Sequence, residues 1–116
     1  MPSQRAWSAK AGDHVVAFSA IADNDAFFAC VHERQLKVTH AIGFADHHAY
    51  IPNDIARLNR LADQSQASFL ITTEKDAVKL DVADFTKSVV ALRISAHLKP
   101  EDAVLRLLRR SMSDRW

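Results

Sequence analysis

At 116 residues, with 48% apolar and 25% charged side chains, the chain has the length and composition of one soluble globular domain. Fifteen basic residues against fourteen acidic ones leave a net charge of +1, which excludes a general attraction to nucleic acid or anionic lipid. The single cysteine, Cys30, excludes an internal disulfide and a cysteine-based zinc site. No apolar run approaches the roughly 18 residues that span a bilayer, so we expect a cytoplasmic protein.

The chain begins with a mixed segment, residues 1–13, that we expect to be a tether, and a single domain follows over 14–112. Strands are predicted at the apolar runs 14–18, 68–72 and 88–94, and at 36–42, whose partial alternation indicates a position nearer a sheet edge. Helices are predicted after the cap residues 23–25, from Pro52, over 74–80, and from Pro100 with Val104, Leu105, Leu107 and Leu108 packing inward.

This alternation of strands and helices predicts an α/β fold. We expect a three-layer sandwich with a mainly parallel four-stranded sheet and helices on both faces. In such folds the loops at the carboxyl ends of the strands form the functional rim. The segments predicted to meet at this rim are 19–24, 44–50, 72–76 and 95–99.

The glycine content limits the chemistry at that rim. Gly12 and Gly43 are the only glycines, and a loop that cradles nucleotide phosphates needs glycines a few residues apart. The chain therefore cannot hold a nucleotide with a P-loop of its own.

The first polar rim segment contains Asp46, His47 and His48. A histidine beside a carboxylate can relay or orient a proton near neutral pH. The same residues, with His40 or Glu74 nearby, could instead hold a divalent metal. A purely structural loop, with the histidines packed against Tyr50, is the third possibility, and the residues alone leave all three open.

The second polar rim segment runs from Thr73 to Lys79. Thr73 followed three residues later by Asp76 is the pattern of a helix cap, and Glu74 suits a first helical turn. Lys75 and Lys79, four residues apart, share a helical face and could meet a phosphate as point charges.

Together these segments resemble the C-terminal half of tetraacyldisaccharide 4'-kinase, the lipid A 4'-kinase of Gram-negative bacteria. That family carries a V-x-A-F/M-x-G-I strand, a helix with F-F, a D-H loop and the string T-E-K-D-A-V-K. Order and spacing agree over about residues 14–110. The counterparts here are Val15 to Ile21, Phe27-Phe28, Asp46-His47 and Thr73 to Lys79.

The resemblance implies a Rossmann-like half of a P-loop kinase that transfers the ATP γ-phosphoryl group to the 4'-hydroxyl of tetraacyldisaccharide 1-phosphate. It implies a catalytic role for His47, with Asp46 fixing its tautomer, and substrate binding by Glu74, Lys75, Asp76 and Lys79. It places Mg-ATP and the P-loop on a partner lobe, supplied in cis or in trans. This lobe should then need no cofactor or metal of its own and be silent alone. Contact with the inner membrane is expected only through the full kinase.

Two alternatives remain at the sequence level. The family's glycine before the isoleucine is Ala20 here, and its G-N/H-P loop is Ala22-Asp23-Asn24. These departures suit a stand-alone binding or regulatory module that has lost kinase work. Asp46-His47-His48 could also belong to a DHH-type metal phosphoesterase, but such enzymes need further aspartates on preceding strands, and Asp23-Asn24-Asp25 is the only D-x-D upstream.

Overall fold

The fold was analysed in a computed structural model that describes residues 12–93 and, further along the chain, 104–109. The sequence supplies start signals for the first two helices. The Asp23 carboxylate accepts a hydrogen bond from the amide of Ala26 and caps the first helix. Pro52 opens the second helix. The elements are β1 (His14–Ser19), α1 (Asn24–Glu33), β2 (Lys37–Gly43), α2 (Pro52–Gln64), β3 (Phe69–Thr73), α3 (Glu74–Ala77), a 3-10 turn (Val82–Asp84), β4 (Ser88–Arg93) and β5 (Val104–Arg109).

The sheet has the strand order β2-β1-β3-β4-β5. Its first four strands run parallel, and β5 pairs antiparallel with β4. The predicted mainly parallel sheet is confirmed, and so is the position of β2 at an edge. The chain leaves β1 toward β2 on one side and returns to β3 on the other, so the order reverses between β1 and β3.

The predicted last helix is wrong, and the sheet has five strands instead of four. Residues 104–109 form β5, while the helix start expected at 100–103 lies outside the described residues. The strand places Leu107 against the apolar layer on one face of the sheet and Leu108 against the layer on the other. A strand also pairs with the free edge of β4. Burial on both faces therefore outweighs the helical spacing that the leucines show in the sequence.

The core consists of two apolar layers that cover the two faces of the sheet. Along β1, Val15 and Ala17 pack into one layer with α1, while Val16 and Phe18 pack into the other with α2. All four side chains are completely buried. The three-layer α/β sandwich is thus confirmed.

The third helix is shorter than predicted and ends at Ala77 instead of Leu80. The amides of Lys79 and Leu80 bond to carbonyls three residues back, at 2.9 and 3.1 Å, so the segment tightens into turns. At the other end of the fold, Gly12 donates to the carbonyl of Gln35 and holds the chain against the start of β2. Residues 1–11 of the predicted tether lie outside the described residues.

Candidate functional site

The candidate site lies at the rim, where the loops after β1, β2 and β3 meet. Because the strand order reverses between β1 and β3, the loops that follow them leave in different directions. A crevice at such a reversal is the usual ligand position in open parallel sheets. The two polar segments predicted to converge do so here. The Tyr50 hydroxyl donates to Asp76 at 3.0 Å, and Nζ of Lys79 donates to the carbonyl of His48 at 3.3 Å.

Asp76 is the centre of this rim and is fully buried. Its carboxylate accepts hydrogen bonds from the amide of Ala20 at 3.1 and 3.2 Å, from the Tyr50 hydroxyl and, at 2.6 Å, from the Thr73 hydroxyl. Thr73 in turn accepts from the amide of Asp76 and caps α3, as the sequence predicted. With both oxygens bonded inside the protein, Asp76 joins three loops of the rim.

The loop after β2 is fixed by an aromatic cluster. The imidazole of His48 stacks on Phe44 with ring centroids 4.7 Å apart and meets Tyr50 edge-on at 5.5 Å. Its Nε2 lies 2.7 Å from the carboxylate of Asp54 in the first turn of α2. These contacts favour a structural role for His48, in which its ring packs against Phe44 and Tyr50 and stabilises the loop.

His47 occupies a different environment. Its side chain is 75% exposed, and its backbone has a φ of 65°, the left-handed region that few non-glycine residues adopt. The amide of His47 donates to the carbonyl of Ala20 at 3.3 Å, which ties this conformation to the end of β1. Such a conformation persists when the surroundings hold it, and it is found more often at functional sites than elsewhere.

Asp46 lies beside His47 but does not hydrogen-bond to it. Nε2 of His47 and Oδ2 of Asp46 are 3.6 Å apart, beyond hydrogen-bond range, and both side chains are exposed. A rotation of either side chain would be needed before Asp46 could fix a tautomer of His47. The ring of His47 is thus free to meet a group that approaches from outside the rim.

Two grooves open beside the rim, and they place the predicted substrate-binding residues Glu74 and Lys75 apart from Lys79, while Asp76 lines neither groove. One, of about 460 Å³, lies on the α1 side and contains Glu74 and Lys75. The other, of about 530 Å³, lies between α2 and the segment after α3 and contains Tyr50 and Lys79. Glu74 also accepts a hydrogen bond from Nε of Arg93 at 3.2 Å. Asp46 and His47 are not among the residues that line these two grooves.

The metal alternatives lack a ligand set in the part of the chain that the structure describes. Within 12–93 and 104–109, no three histidine, cysteine, aspartate or glutamate side chains converge to hold a metal ion. Over the same residues no helix is long and apolar enough to cross a membrane.

The role of Asn24, which connects β1 with β2, could not be predicted from the sequence. Its Oδ1 accepts from the Ser19 hydroxyl at 2.6 Å and from the amide of Ile21, while its Nδ2 donates to the carbonyl of Phe44. In the sequence it reads as one of several helix-cap residues. In the fold, Gly43 leaves room for this side chain, since an added Cβ there would lie 2.9 Å from Nδ2 of Asn24.

Comparison with known proteins gives consistent matches. The family profile described as tetraacyldisaccharide-1-P 4'-kinase matches residues 2–113. A tetraacyldisaccharide 4'-kinase of Methylobacterium nodulans is 38% identical over 104 residues, covering 90% of this chain and 30% of that protein. A tetraacyldisaccharide 4'-kinase of Geobacter metallireducens is 46% identical over 69 residues, which cover 60% of this chain and 20% of that protein.

Each match covers only part of the relative's length. Another tetraacyldisaccharide 4'-kinase, of Gluconacetobacter diazotrophicus, is 40% identical over 73 residues and is covered to 22% of its length. The chain thus spans between a fifth and a third of the curated relatives that it matches. No solved structure shows significant similarity to it.

Proposed function

The chain belongs to the tetraacyldisaccharide-1-P 4'-kinase family, and from this we propose that it forms the C-terminal lobe of such a kinase. The kinase would transfer the ATP γ-phosphoryl group to the 4'-hydroxyl of a tetraacyldisaccharide 1-phosphate. The observation that carries the proposal is the joining of the family's two motifs, Asp46-His47 and Thr73 to Lys79, through Tyr50 and Asp76 at the reversal of strand order.

His47 is the residue to which we assign the chemistry. Phosphoryl transfer depends mainly on positioning and on charge stabilisation by a P-loop and Mg²⁺, and the two glycines of this chain cannot build that loop. What the lobe can offer is an exposed imidazole on a fixed backbone. In a closed kinase the ring would orient the acceptor hydroxyl or take up its proton.

The charged residues of the second segment have separate tasks in this proposal. Lys75 and Lys79 are exposed and would face anionic groups of the substrate from two sides of the rim. Glu74 orients Arg93 at the same edge. Asp76 is buried, so its contribution is to hold the loops and not to touch the substrate.

Mg-ATP would be bound by a P-loop lobe, in cis or in trans, and the lobe described here would be silent without it. The lobe would lie in the cytoplasm, and it would contact the inner membrane only as part of the complete kinase. A second candidate, a binding module without kinase work, is favoured by Ala20, whose buried side chain occupies the position of a family glycine.

A chimera tests the proposal. The matching segment of the Methylobacterium nodulans kinase is replaced by this chain, and phosphorylation of tetraacyldisaccharide 1-phosphate is measured for the chimera and for the chain alone. We expect activity only in the chimera. His47→Ala should lower kcat by about 10²- to 10⁴-fold. His32→Ala, at an exposed histidine in the last turn of α1, is the matched control and should leave kcat unchanged. A folded but inactive chimera would favour the binding module.

A further inference from the structure

A closed circuit of contacts connects the backbone of His47 with the Tyr50 hydroxyl. The amide of His47 donates to the carbonyl of Ala20, and the amide of Ala20 donates to the carboxylate of Asp76. The Tyr50 hydroxyl donates to the same carboxylate. Tyr50 follows His47 by three residues in the same loop, so the backbone from His47 to Tyr50 joins the two ends of this series of hydrogen bonds.

The ring of Tyr50 adds a second constraint on the same loop. It contacts Phe44 and His48 edge-on, with centroids 5.2 and 5.5 Å apart, and these residues stand on either side of His47 in the sequence. It also meets Phe18 of β1 edge-on at 5.8 Å. The ring therefore anchors the loop to the core, while the hydroxyl sets the loop's position relative to β3 and α3.

We infer that Tyr50 is a positioning residue, whose hydrogen bond to the buried Asp76 carboxylate holds the backbone of His47 where the imidazole can reach a bound substrate. This inference rests on the function proposed above for His47. The left-handed backbone of His47 is bonded to Ala20, whose own amide is fixed by Asp76. Freeing Tyr50 from Asp76 removes the hydrogen bond that links this loop to α3, while the ring contacts and the link from His48 to Asp54 remain.

Burial of the phenol and the neighbouring Asp76 carboxylate raise the pKa of Tyr50 above its usual range. The hydroxyl consequently keeps its proton near neutral pH and can donate to Asp76.

Tyr50→Phe tests the inference, since it deletes the hydroxyl and keeps the ring. In the 116-residue chain, we expect hydrogen exchange of the His47 amide to accelerate on the order of tenfold. In the chimera, kcat should fall about 10- to 100-fold with KM changed less than about twofold, as expected for a misplaced reacting group. Asp76→Asn leaves a single acceptor oxygen for the three donors Ala20, Tyr50 and Thr73, and it is a second variant with the same expected direction.

Thr39→Val is the matched control because it also deletes a partly buried, hydrogen-bonded hydroxyl, one that lies near the other end of β2 and bonds to the Val15 carbonyl and the Ser65 hydroxyl. It should leave the exchange of His47 and the kcat unchanged. Unchanged exchange at His47 in Tyr50→Phe, unchanged kcat, or an equal fall of kcat in Thr39→Val would overturn the inference. If the chimera with the unaltered chain is inactive, the proposed function fails, while the exchange measurement still decides whether Tyr50 holds the loop.

Discussion

Nε2 of His48 lies 2.7 Å from Oδ2 of Asp54, and the same carboxylate oxygen accepts a hydrogen bond from the amide of Ile51 at 3.0 Å. Ile51 precedes α2 and has no side chain that could cap the helix. Asp54 therefore performs two tasks, satisfying an amide at the helix start and tying the rim loop to α2.

Because of this pair, we expect the folded chain to lose stability as the pH becomes acidic. The hydrogen bond from His48 is the main cause that lowers the pKa of the Asp54 carboxyl. A carboxyl whose pKa is lower in the folded state stabilises the fold above its unfolded pKa of about 3.9, and the contribution disappears as the pH falls through the folded value. Asp54→Asn should thus lower the free energy of unfolding by about 1 kcal/mol near neutral pH, and by less in acid, once the pH lies below the folded pKa of Asp54.

Urea unfolding at the two pH values measures the difference. The control is Asp63→Asn in the same helix, which makes the same charge change at a side chain that is 69% exposed and 4.0 Å from Lys87. Its effect should stay within about 0.5 kcal/mol at both pH values. Equal losses for the two variants, or a loss for Asp54→Asn that persists in acid, would contradict the role given to the pair.

Gly43 is predicted to resist substitution by alanine because of its neighbour. The added Cβ would lie 2.9 Å from Nδ2 of Asn24, an amide held by Ser19, Ile21 and Phe44. The amide cannot move aside without losing hydrogen bonds, so Gly43→Ala should cost about 1–3 kcal/mol of stability. In an Asn24→Ala background the same change should cost much less, and a double-mutant cycle of urea unfolding measures this coupling. Additive losses would show that Asn24 is not the obstacle.

The layers and the rim could be predicted because they depend on local patterns. Apolar runs at 14–18, 68–72 and 88–94 have few polar positions, which suits strands covered on both faces, and β1, β3 and β4 are such strands. The convergence of the two polar segments follows from parallel strands alone, since their carboxyl ends share one edge.

Long-range partners could not be predicted from such patterns. Residues 104–109 became a strand because β4 offered an edge and both faces offered apolar cover, neither of which is visible in the local spacing of leucines. Asp76 showed the pattern of a helix-cap partner, yet its carboxylate reaches Ala20, which is 56 residues away. Packing of Tyr50 against the histidines is one of three alternatives that the sequence leaves open, and its hydroxyl cannot be assigned to Asp76 without the fold.

Ala20 allows a test of the departure from the family's glycine. Among the described residues, the non-glycine positions with positive φ are Gln35, His47 and Gln66, so the backbone of Ala20 needs no glycine. Ala20→Gly removes a fully buried methyl group and adds backbone freedom, and it should destabilise the chain by about 1–2 kcal/mol.

The matched control is Ala17→Gly, the same change at a fully buried position inside β1. Thermal unfolding should show losses of similar size for both variants. In the chimera only Ala20→Gly should lower KM for the disaccharide, because it alone opens space at the rim. A gain of stability for Ala20→Gly would mean that alanine is strained there, and an unchanged KM would mean that the family's glycine serves the backbone and not the ligand.

The last prediction concerns ligand binding by this lobe alone. Lys75, Lys79 and His47 are exposed and can offer two or three contacts to a sugar phosphate, each worth roughly 1.5–3 kcal/mol when charge-assisted. Lys79 must first release the carbonyl of His48, and immobilising the ligand costs at least about 4 kcal/mol. The remainder is at most about 5 kcal/mol and about 2 kcal/mol for contacts of average strength, so we expect a dissociation constant that is roughly millimolar or weaker.

NMR titration of the labelled chain with a soluble disaccharide phosphate should accordingly show small shift changes confined to 19–24, 44–50 and 72–79. ATP should perturb these loops less, because the phosphate cradle is missing. Lys75→Met should reduce the changes at 72–79, whereas Lys37→Met, at an exposed lysine where β2 begins, should leave them as they are. Micromolar binding of ATP, or shift changes centred on other residues, would show that the rim is not the ligand site, since an incomplete cleft with two exposed lysines cannot supply that affinity.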